Sequence, residues 1–205
     1  MSVRAITIVS GLPRSGTSLM MQMLVAGGVP ALTDETRAPD ESNPRGYLEF
    51  EPVKRLRTDQ SWLEQARGRA VKIIHLLLRD LPVDGRFEYR VLFMRRPLTE
   101  VIASQQAMLA RGGKTSAEPQ MLAKIFSSQL SQVEEWLNSH SCFRTLFVEY
   151  HRVLKEPRAA AEEIDTFLGV DLNVAEMARA VHPALYRQRG NSESGTEIDI
   201  RNFAS

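Results

Sequence analysis

The 205-residue sequence predicts an α/β fold in which helices cover both faces of a mainly parallel central sheet. Two observations support this prediction. Short apolar segments that suit buried strands alternate along the chain with longer segments whose apolar residues have helical spacing. The composition is 43% hydrophobic and 25% charged, as in an ordinary globular protein, and the length suits one domain with a substantial core.

Four segments are predicted as strands, because each is short and almost entirely apolar, as in a parallel sheet between two helical layers. They cover residues 5–10, 70–74, 89–94 and 144–148. Helical spacing predicts helices over residues 18–25, 98–109, 120–137 and 158–168. Residues 33–45 are predicted as loop, since prolines and Asn43 interrupt any periodicity. We predict one domain over residues 1–190 and a mobile tail over residues 191–205.

Charge and cysteine content argue against several classes of protein. The net charge of +1 does not favour a nucleic acid polymer or a membrane surface as partner. The single cysteine, Cys142, allows no internal disulfide and no cysteine-rich metal site. No apolar run approaches the roughly 20 residues that span a bilayer, and Arg4 interrupts any signal-peptide core. We therefore predict a cytoplasmic protein without membrane insertion.

The segment after the first predicted strand is typical of a phosphate-binding loop. This phosphate loop, residues 11–18, reads Gly-Leu-Pro-Arg-Ser-Gly-Thr-Ser and leads into a predicted helix. Glycines allow the tight turn, so that the loop N–H groups and the helix N-terminus face an anion. The pattern matches G-x-x-x-x-G-K-[ST], except that Thr17 stands at the lysine position and Arg14 lies within the loop. The fold is therefore predicted to be P-loop-like, with three α/β/α layers, and the site to lack the lysine that reaches a triphosphate.

Polar side chains also follow the other predicted strands. His75 follows the second strand, Arg95 and Arg96 follow the third, and Glu149 and Tyr150 follow the fourth. Ligands of open α/β sheets bind outside the carboxyl ends of the strands. We therefore expect these side chains to lie near the phosphate loop and to form one site with it.

With these residues in place, the chain resembles the sulfotransferases that use 3′-phosphoadenosine 5′-phosphosulfate (PAPS). The loop of that family for the 5′-phosphosulfate has the form Pro-[Lys/Arg]-Ser-Gly-Thr-[Thr/Ser], which residues 13–18 match throughout. Its 3′-phosphate motif has an Arg at a strand end and a Ser eight residues later, the spacing of Arg96 and Ser104. Residues 146–150 and 187–190 are also similar to segments near the end of the family fold.

The resemblance implies that the phosphate loop holds the 5′-phosphosulfate. The residues implied to bind there are Arg14, Ser15, Gly16, Thr17 and Ser18. Arg14 has a second implied role, since its guanidinium would stabilise the charge that builds on the departing phosphate.

The resemblance also implies residues for the rest of the nucleotide. Arg96 and Ser104 would hold the 3′-phosphate, because the planar arginine fork suits phosphate oxygens. Tyr150 is predicted to contact the adenine or to cap the sheet core with its ring. Arg189 is predicted to contact the 3′-phosphate or to remain a solvated charge near the C-terminus.

Two residues are alternative candidates for the catalytic base. The cytosolic branch of the family has a histidine base followed seven residues later by a proline, as Pro82 follows His75. The tyrosylprotein branch has Glu-Thr-Arg after its loop, and Glu35 begins the same tripeptide here. Lys72 is predicted to stabilise the leaving group. Since strand side chains alternate, only one of Lys72 and His75 should face the site unless the strand ends between them.

The predicted function is transfer of a sulfuryl group from PAPS, which leaves 3′-phosphoadenosine 5′-phosphate (PAP). The acceptor would be a hydroxyl or an amine of an unidentified small molecule or peptide, and no metal is expected. A P-loop nucleotide kinase is one alternative, although Thr17 replaces its lysine. A nucleotide-binding protein without catalysis is the other. The acceptor and the oligomeric state stay open at the level of sequence.

Overall fold

A four-stranded parallel sheet forms the centre of the protein, in a computed structural model that describes residues 5–34, 46–113 and 115–181. The strands are β1 (Ala5–Gly11), β2 (Ala70–Lys72), β3 (Glu88–Arg95) and β4 (Phe143–Glu149). Their order is β2-β1-β3-β4, and each neighbouring pair is parallel. All residues of β1 are buried, as expected of a central strand covered on both faces.

Helices cover both faces of this sheet. They are α1 (Thr17–Ala26), α2 (Leu98–Arg111), α3 (Pro119–Asn138), α4 (Tyr150–Lys155), α5 (Pro157–Leu168) and α6 (Val174–Ala180). Three short 3-10 helices lie at Glu51–Arg55, Ser61–Glu64 and His75–Asp80. Most of their apolar residues form the two cores described next, together with those of the sheet. Val101 and Ile102 of α2 pack instead with Leu12 and Phe126 in a smaller cluster.

Two apolar cores lie on opposite faces of the sheet because strand side chains alternate. Ile8 and Phe93 belong to the core beneath α3 and the 3-10 helices. Val9 and Leu92, their neighbours in the chain, belong to the core beneath α1, α5 and α6. This arrangement is the predicted three-layer α/β/α fold with a mainly parallel sheet.

The structure confirms the four predicted strands and four predicted helices, with shifts of one or two residues at most ends. The largest difference is in the second strand, predicted over residues 70–74. It ends at Lys72, and His75 begins a 3-10 helix instead. Sequence analysis missed α4, α6 and the 3-10 helices, because one or two turns give too few residues to establish a helical period.

The predicted mobile tail, residues 191–205, lies outside the described residues, as does the end of the predicted domain at residue 190. Within the described ranges, no helix is long and apolar enough to cross a membrane.

Candidate functional site

The phosphate loop makes a tight turn between β1 and α1 that requires both of its glycines. Gly11 has φ 142°, and a Cβ there would lie 2.5 Å from Ser15 Oγ and 2.7 Å from the Met94 carbonyl oxygen. Gly16 has φ 105°, and its Cβ would lie 2.5 Å from Cδ2 of Tyr150. Contacts this close exclude any side chain, so the backbone itself lines the inside of the turn.

The N-terminus of α1 opens into this turn. Gly16 is the N-cap residue and has no side chain that could satisfy the first N–H groups of the helix. Those groups have no partner within a helix, and together with the helix dipole they attract an anion. Ser15 Oγ is also buried, at 1% exposure, and has no hydrogen-bond partner among the described residues. The turn therefore contains two kinds of donor that suit an anion, the first N–H groups of α1 and the buried Ser15 hydroxyl.

Arg14 joins the phosphate loop to α2. Its Nε donates a hydrogen bond to Ser104 Oγ at 3.0 Å, although the two residues are 90 positions apart in the chain. Ser104 is 3% exposed, so the α2 side of this contact is buried. The residue predicted for the 5′-phosphosulfate thus touches one predicted for the 3′-phosphate.

Arg96 joins the same cluster from the end of β3. Its Nη1 donates a hydrogen bond to the backbone oxygen of Arg14 at 3.2 Å, and its guanidinium lies 4.7 Å from the ring centroid of Tyr150. Arg95 extends elsewhere, to Glu134 on α3 at 2.7 Å and over the ring of Phe147. The different partners of the two arginines agree with the alternation of side chains along a strand, with Arg96 on the side of the phosphate loop.

Lys72 borders the other end of the loop, where α1 begins. Its Nζ donates hydrogen bonds to the Tyr47 carbonyl oxygen at 2.7 Å and to Ser18 Oγ at 3.3 Å. The Glu49 carboxylate lies 3.3 Å from the same ammonium. Lys72 is 9% exposed, so one buried cation connects the phosphate loop to the segment that begins at Gly46.

His75 lies near the start of the loop rather than its end. It is 2% exposed, and its Nε2 lies 3.0 Å from Oε1 of Gln129 on α3. Burial lowers the pKa of His75 below its ordinary value of 6.5, while contacts with Gln129 and the Gly11 backbone act in the opposite direction. Since β2 ends at Lys72, strand alternation does not extend to His75, and the two residues border different ends of the loop.

The chain that forms this loop, sheet and cluster matches the model of a known protein family. A model of the sulfotransferase domain matches residues 5–194. The chain belongs to the sulfotransferase family. This confirms the family that the sequence resembles, and it does not favour the nucleotide-kinase alternative. No curated protein matches the chain.

Two solved sulfotransferase structures have the same fold as this sulfotransferase. The sulfotransferase domain from the curacin biosynthetic pathway has a TM-score of 0.51 and 17% identity, covering 87% of this chain and 78% of that one. Mouse sulfotransferase SULT7A1, solved in complex with PAP, has a TM-score of 0.50 and 18% identity, covering 88% of this chain and 63% of that one. At such identities the likeness concerns the fold.

Two predicted site residues of this sulfotransferase, Glu35 and Arg189, lie outside the described residues. The structure brings Arg14, Arg96 and Ser104 together with Tyr150, whose ring is 7% exposed and packs between Gly16 and Arg96. This packing gives the ring a supporting role, while a contact with adenine stays a prediction.

Sequence reasoning missed two residues beside this cluster, a glutamate and a histidine. Glu100 accepts a hydrogen bond from Arg96 Nε at 2.8 Å, and its other carboxylate oxygen lies 2.9 Å from His151 Nε2. The spacing of four residues between Arg96 and Glu100 is typical of a helical ion pair and could have indicated the first contact. Nothing in the sequence indicates the second, because His151 lies on α4 and is separated from α2 by α3 and β4. Within the described residues, no group of three or more acidic, His or Cys side chains could hold a metal ion.

Proposed function

We propose that this protein transfers a sulfuryl group from PAPS to a hydroxyl or amine of an acceptor. The observation that supports the proposal most is the contact between Arg14, Ser104 and Arg96 at the carboxyl end of a parallel sheet. The guanidinium of Arg14, within the phosphate loop, lies there beside the buried Ser104 hydroxyl and the guanidinium of Arg96. Such a cluster suits a ligand with two separate anionic groups, as PAPS has at its 5′ and 3′ positions.

The phosphate loop fits the 5′ side of this nucleotide. Its glycines allow the tight turn, and the buried Ser15 hydroxyl needs a partner that a phosphate oxygen could supply. Thr17 and Ser18 stand in the first turn of α1, where their hydroxyls and N–H groups suit an anion. Gly16 would contribute its backbone N–H, and Arg14 would neutralise charge.

The 3′-phosphate would be held by Arg96 and Ser104, with Arg189 as a further predicted ligand. Arg96 is well suited because its side chain is only 7% exposed and its position is determined by neighbours before any ligand arrives. A guanidinium in such a place forms stronger hydrogen bonds with phosphate than it would in water.

PAPS supplies a sulfuryl group whose bond to the 5′-phosphate breaks as the acceptor oxygen or nitrogen bonds to sulfur. The chain's own residues would orient the nucleotide, accept the acceptor's proton and stabilise the departing phosphate. Lys72 is placed for the last role, since its ammonium contacts Ser18 in the phosphate loop. His75 is a candidate for the proton, because burial keeps its imidazole neutral near neutral pH. Glu35 is the other candidate.

The test is a transfer assay with PAPS that carries radioactive sulfur. The acceptors are a panel of phenols, alcohols, amines, sugars and a tyrosine-containing peptide, and calorimetry measures PAP binding in parallel. We expect PAP to bind without added metal and at least one acceptor to be labelled. We expect Arg14→Ala to weaken PAP binding by roughly tenfold to a hundredfold, as for loss of a hydrogen bond to a charged group.

Other outcomes would identify the alternatives. PAP binding without transfer to any acceptor would support a nucleotide-binding protein without catalysis. Magnesium-dependent binding of ATP in preference to PAP would support a kinase and contradict the proposal. Arg158→Ala serves as the control, because this exposed arginine on α5 contacts Glu162 and lies outside the cluster.

A further inference from the structure

Glu100 places a carboxylate inside the cluster that the proposed function assigns to a phosphate. Its side chain is 11% exposed, and one oxygen accepts a hydrogen bond from Arg96 Nε at 2.8 Å. A negative charge so close to an anion site opposes ligand binding by Coulomb repulsion. Its presence there therefore suggests a favourable contribution to the free energy of ligand binding that outweighs this repulsion.

We attribute this contribution to the contacts that orient the Arg96 guanidinium. Nε donates to Glu100, Nη1 donates to the Arg14 backbone oxygen at 3.2 Å, and the guanidinium lies over the ring of Tyr150. The ring restricts the plane of the guanidinium, and the two hydrogen bonds restrict its rotation within that plane. Three contacts from three different segments of chain thus determine one orientation.

Glu100 is itself held in place. It lies on α2, four residues after Arg96, and its second oxygen lies 2.9 Å from Nε2 of His151 on α4. A carboxylate with partners on both oxygens cannot rotate away from Arg96 without breaking a contact. An arginine side chain loses rotamer entropy when it is ordered, so ordering it before the ligand binds increases affinity.

We infer that Glu100 is a positioning residue that orients Arg96 for the 3′-phosphate and so increases the preference for nucleotides that carry this group. The inference depends on the proposed function, because it takes Arg96 to bind the 3′-phosphate. Glu100 acts through Arg96 and does not contact the nucleotide.

The experiment compares two probes, PAP and adenosine 5′-phosphate, which differ by the 3′-phosphate. Binding of both is measured by calorimetry on the full chain and on Glu100→Ala and Glu100→Gln. For Glu100→Ala we expect PAP binding to weaken by about tenfold, equivalent to roughly 1.4 kcal/mol, with adenosine 5′-phosphate unchanged. Glutamine keeps an oxygen that can accept from Nε, so Glu100→Gln should stay within about threefold of the parent protein.

Other patterns would overturn the inference. If both variants bind PAP more tightly, Glu100 acts only by repulsion. If Glu100→Ala weakens both probes equally, or weakens neither, it does not orient a group specific for the 3′-phosphate. Thermal melting of each variant shows whether it is folded. If the alanine variant is not, Glu100→Leu replaces it with the same expected loss, because leucine fills space on α2 and has no acceptor for Arg96 Nε.

Two further variants separate this inference from the proposed function. Arg96→Ala should reduce PAP binding to the level of adenosine 5′-phosphate; if the ratio of the two affinities does not change, the proposed 3′-phosphate site is wrong. If that ratio falls in Arg96→Ala but not in Glu100→Ala, only the role of Glu100 is wrong. Glu162→Ala is the matched control, since Glu162 contacts Arg158 at the same spacing of four residues on an exposed face of α5.

Discussion

His75 is a buried histidine at the point where β2 gives way to a 3-10 helix. Burial is the largest influence on its pKa and favours the neutral ring, while the hydrogen bonds with Gln129 and the Gly11 backbone act in the opposite direction with a smaller effect. A neutral imidazole can accept a proton, which is why the residue remains a candidate base. The same burial makes the stability of the protein depend on pH.

We predict that the protein loses stability as the pH falls below 6.5, the ordinary pKa of histidine. The pKa of His75 is lower in the folded protein, so the unfolded chain binds the proton first and unfolding becomes more favourable. The contribution of this one group cannot exceed about 1.4 kcal/mol per pH unit. Urea unfolding at a series of pH values measures the slope, and His75→Gln should reduce it. An unchanged slope in this variant would contradict the assignment.

The identity of the base is a second prediction at the residue scale. Of the variants Glu35→Gln and His75→Gln, we expect only one to abolish turnover, while PAP affinity stays near that of the parent protein in both. The reason is that the base contacts the acceptor's hydroxyl or amine and not the nucleotide. Single-turnover transfer rates and calorimetry provide the two measurements. Loss of turnover in both variants, with PAP binding intact, would show that neither acts alone as the base.

At the scale of elements, the turn from β1 into α1 depends on close contact with α4. Gly16 packs against the Tyr150 ring, which begins α4, and the same ring supports Arg96. The turn is therefore held in part by Tyr150, which directly follows β4, an edge strand of the sheet. Any side chain at position 16 would push the loop away from the Tyr150 ring that supports Arg96.

We predict that Gly16→Ala destabilises the protein and removes PAP binding. The added Cβ would lie 2.5 Å from the Tyr150 ring, at φ 105°. Overpacking costs about 1–3 kcal/mol, and the left-handed conformation adds about 1 kcal/mol. Gly28→Ala is the matched control: its φ is 97°, and nothing lies within 4 Å of its Cβ. Equal losses in urea unfolding for both variants would show that backbone strain alone accounts for the effect.

At the scale of the whole molecule, four parallel strands bring their carboxyl ends to one edge. Gly11 pairs with Met94, and Arg95 pairs with Glu149, so the segments that follow these strands begin side by side. Residues 90 positions apart in the sequence can therefore form a hydrogen bond, as Arg14 and Ser104 do. The site is therefore formed by the segments that follow several strands, and no single segment contains it.

We predict that the domain ends near residue 190. A chain that stops at 190 should melt at the same temperature as the full chain and should bind PAP equally well. A chain that stops at 181 lacks Arg189 and should bind PAP more weakly, because one predicted phosphate ligand is gone. Thermal melting and calorimetry test both chains. A lower melting temperature for the longer of the two would place the domain boundary further along the chain.

The sequence by itself determined the layers and the phosphate loop. Strands buried on both faces leave apolar runs, and helices of ten residues or more leave a clear period, so these elements can be recognised without contacts. The glycines and Arg14 could be recognised too, because a phosphate turn requires particular residue types at close spacing. Shorter helices such as α4 could not be predicted, since their stability comes from packing.

Only the tertiary structure decided how the site residues are paired. Only one of Lys72 and His75 was expected to face the site unless the strand ended between them; it does end there, at Lys72, and each residue has its own neighbours. Glu100 and His151 became part of the site only through contacts across α2 and α4. Contacts between distant segments depend on strand register and helix packing, which local residue patterns do not specify.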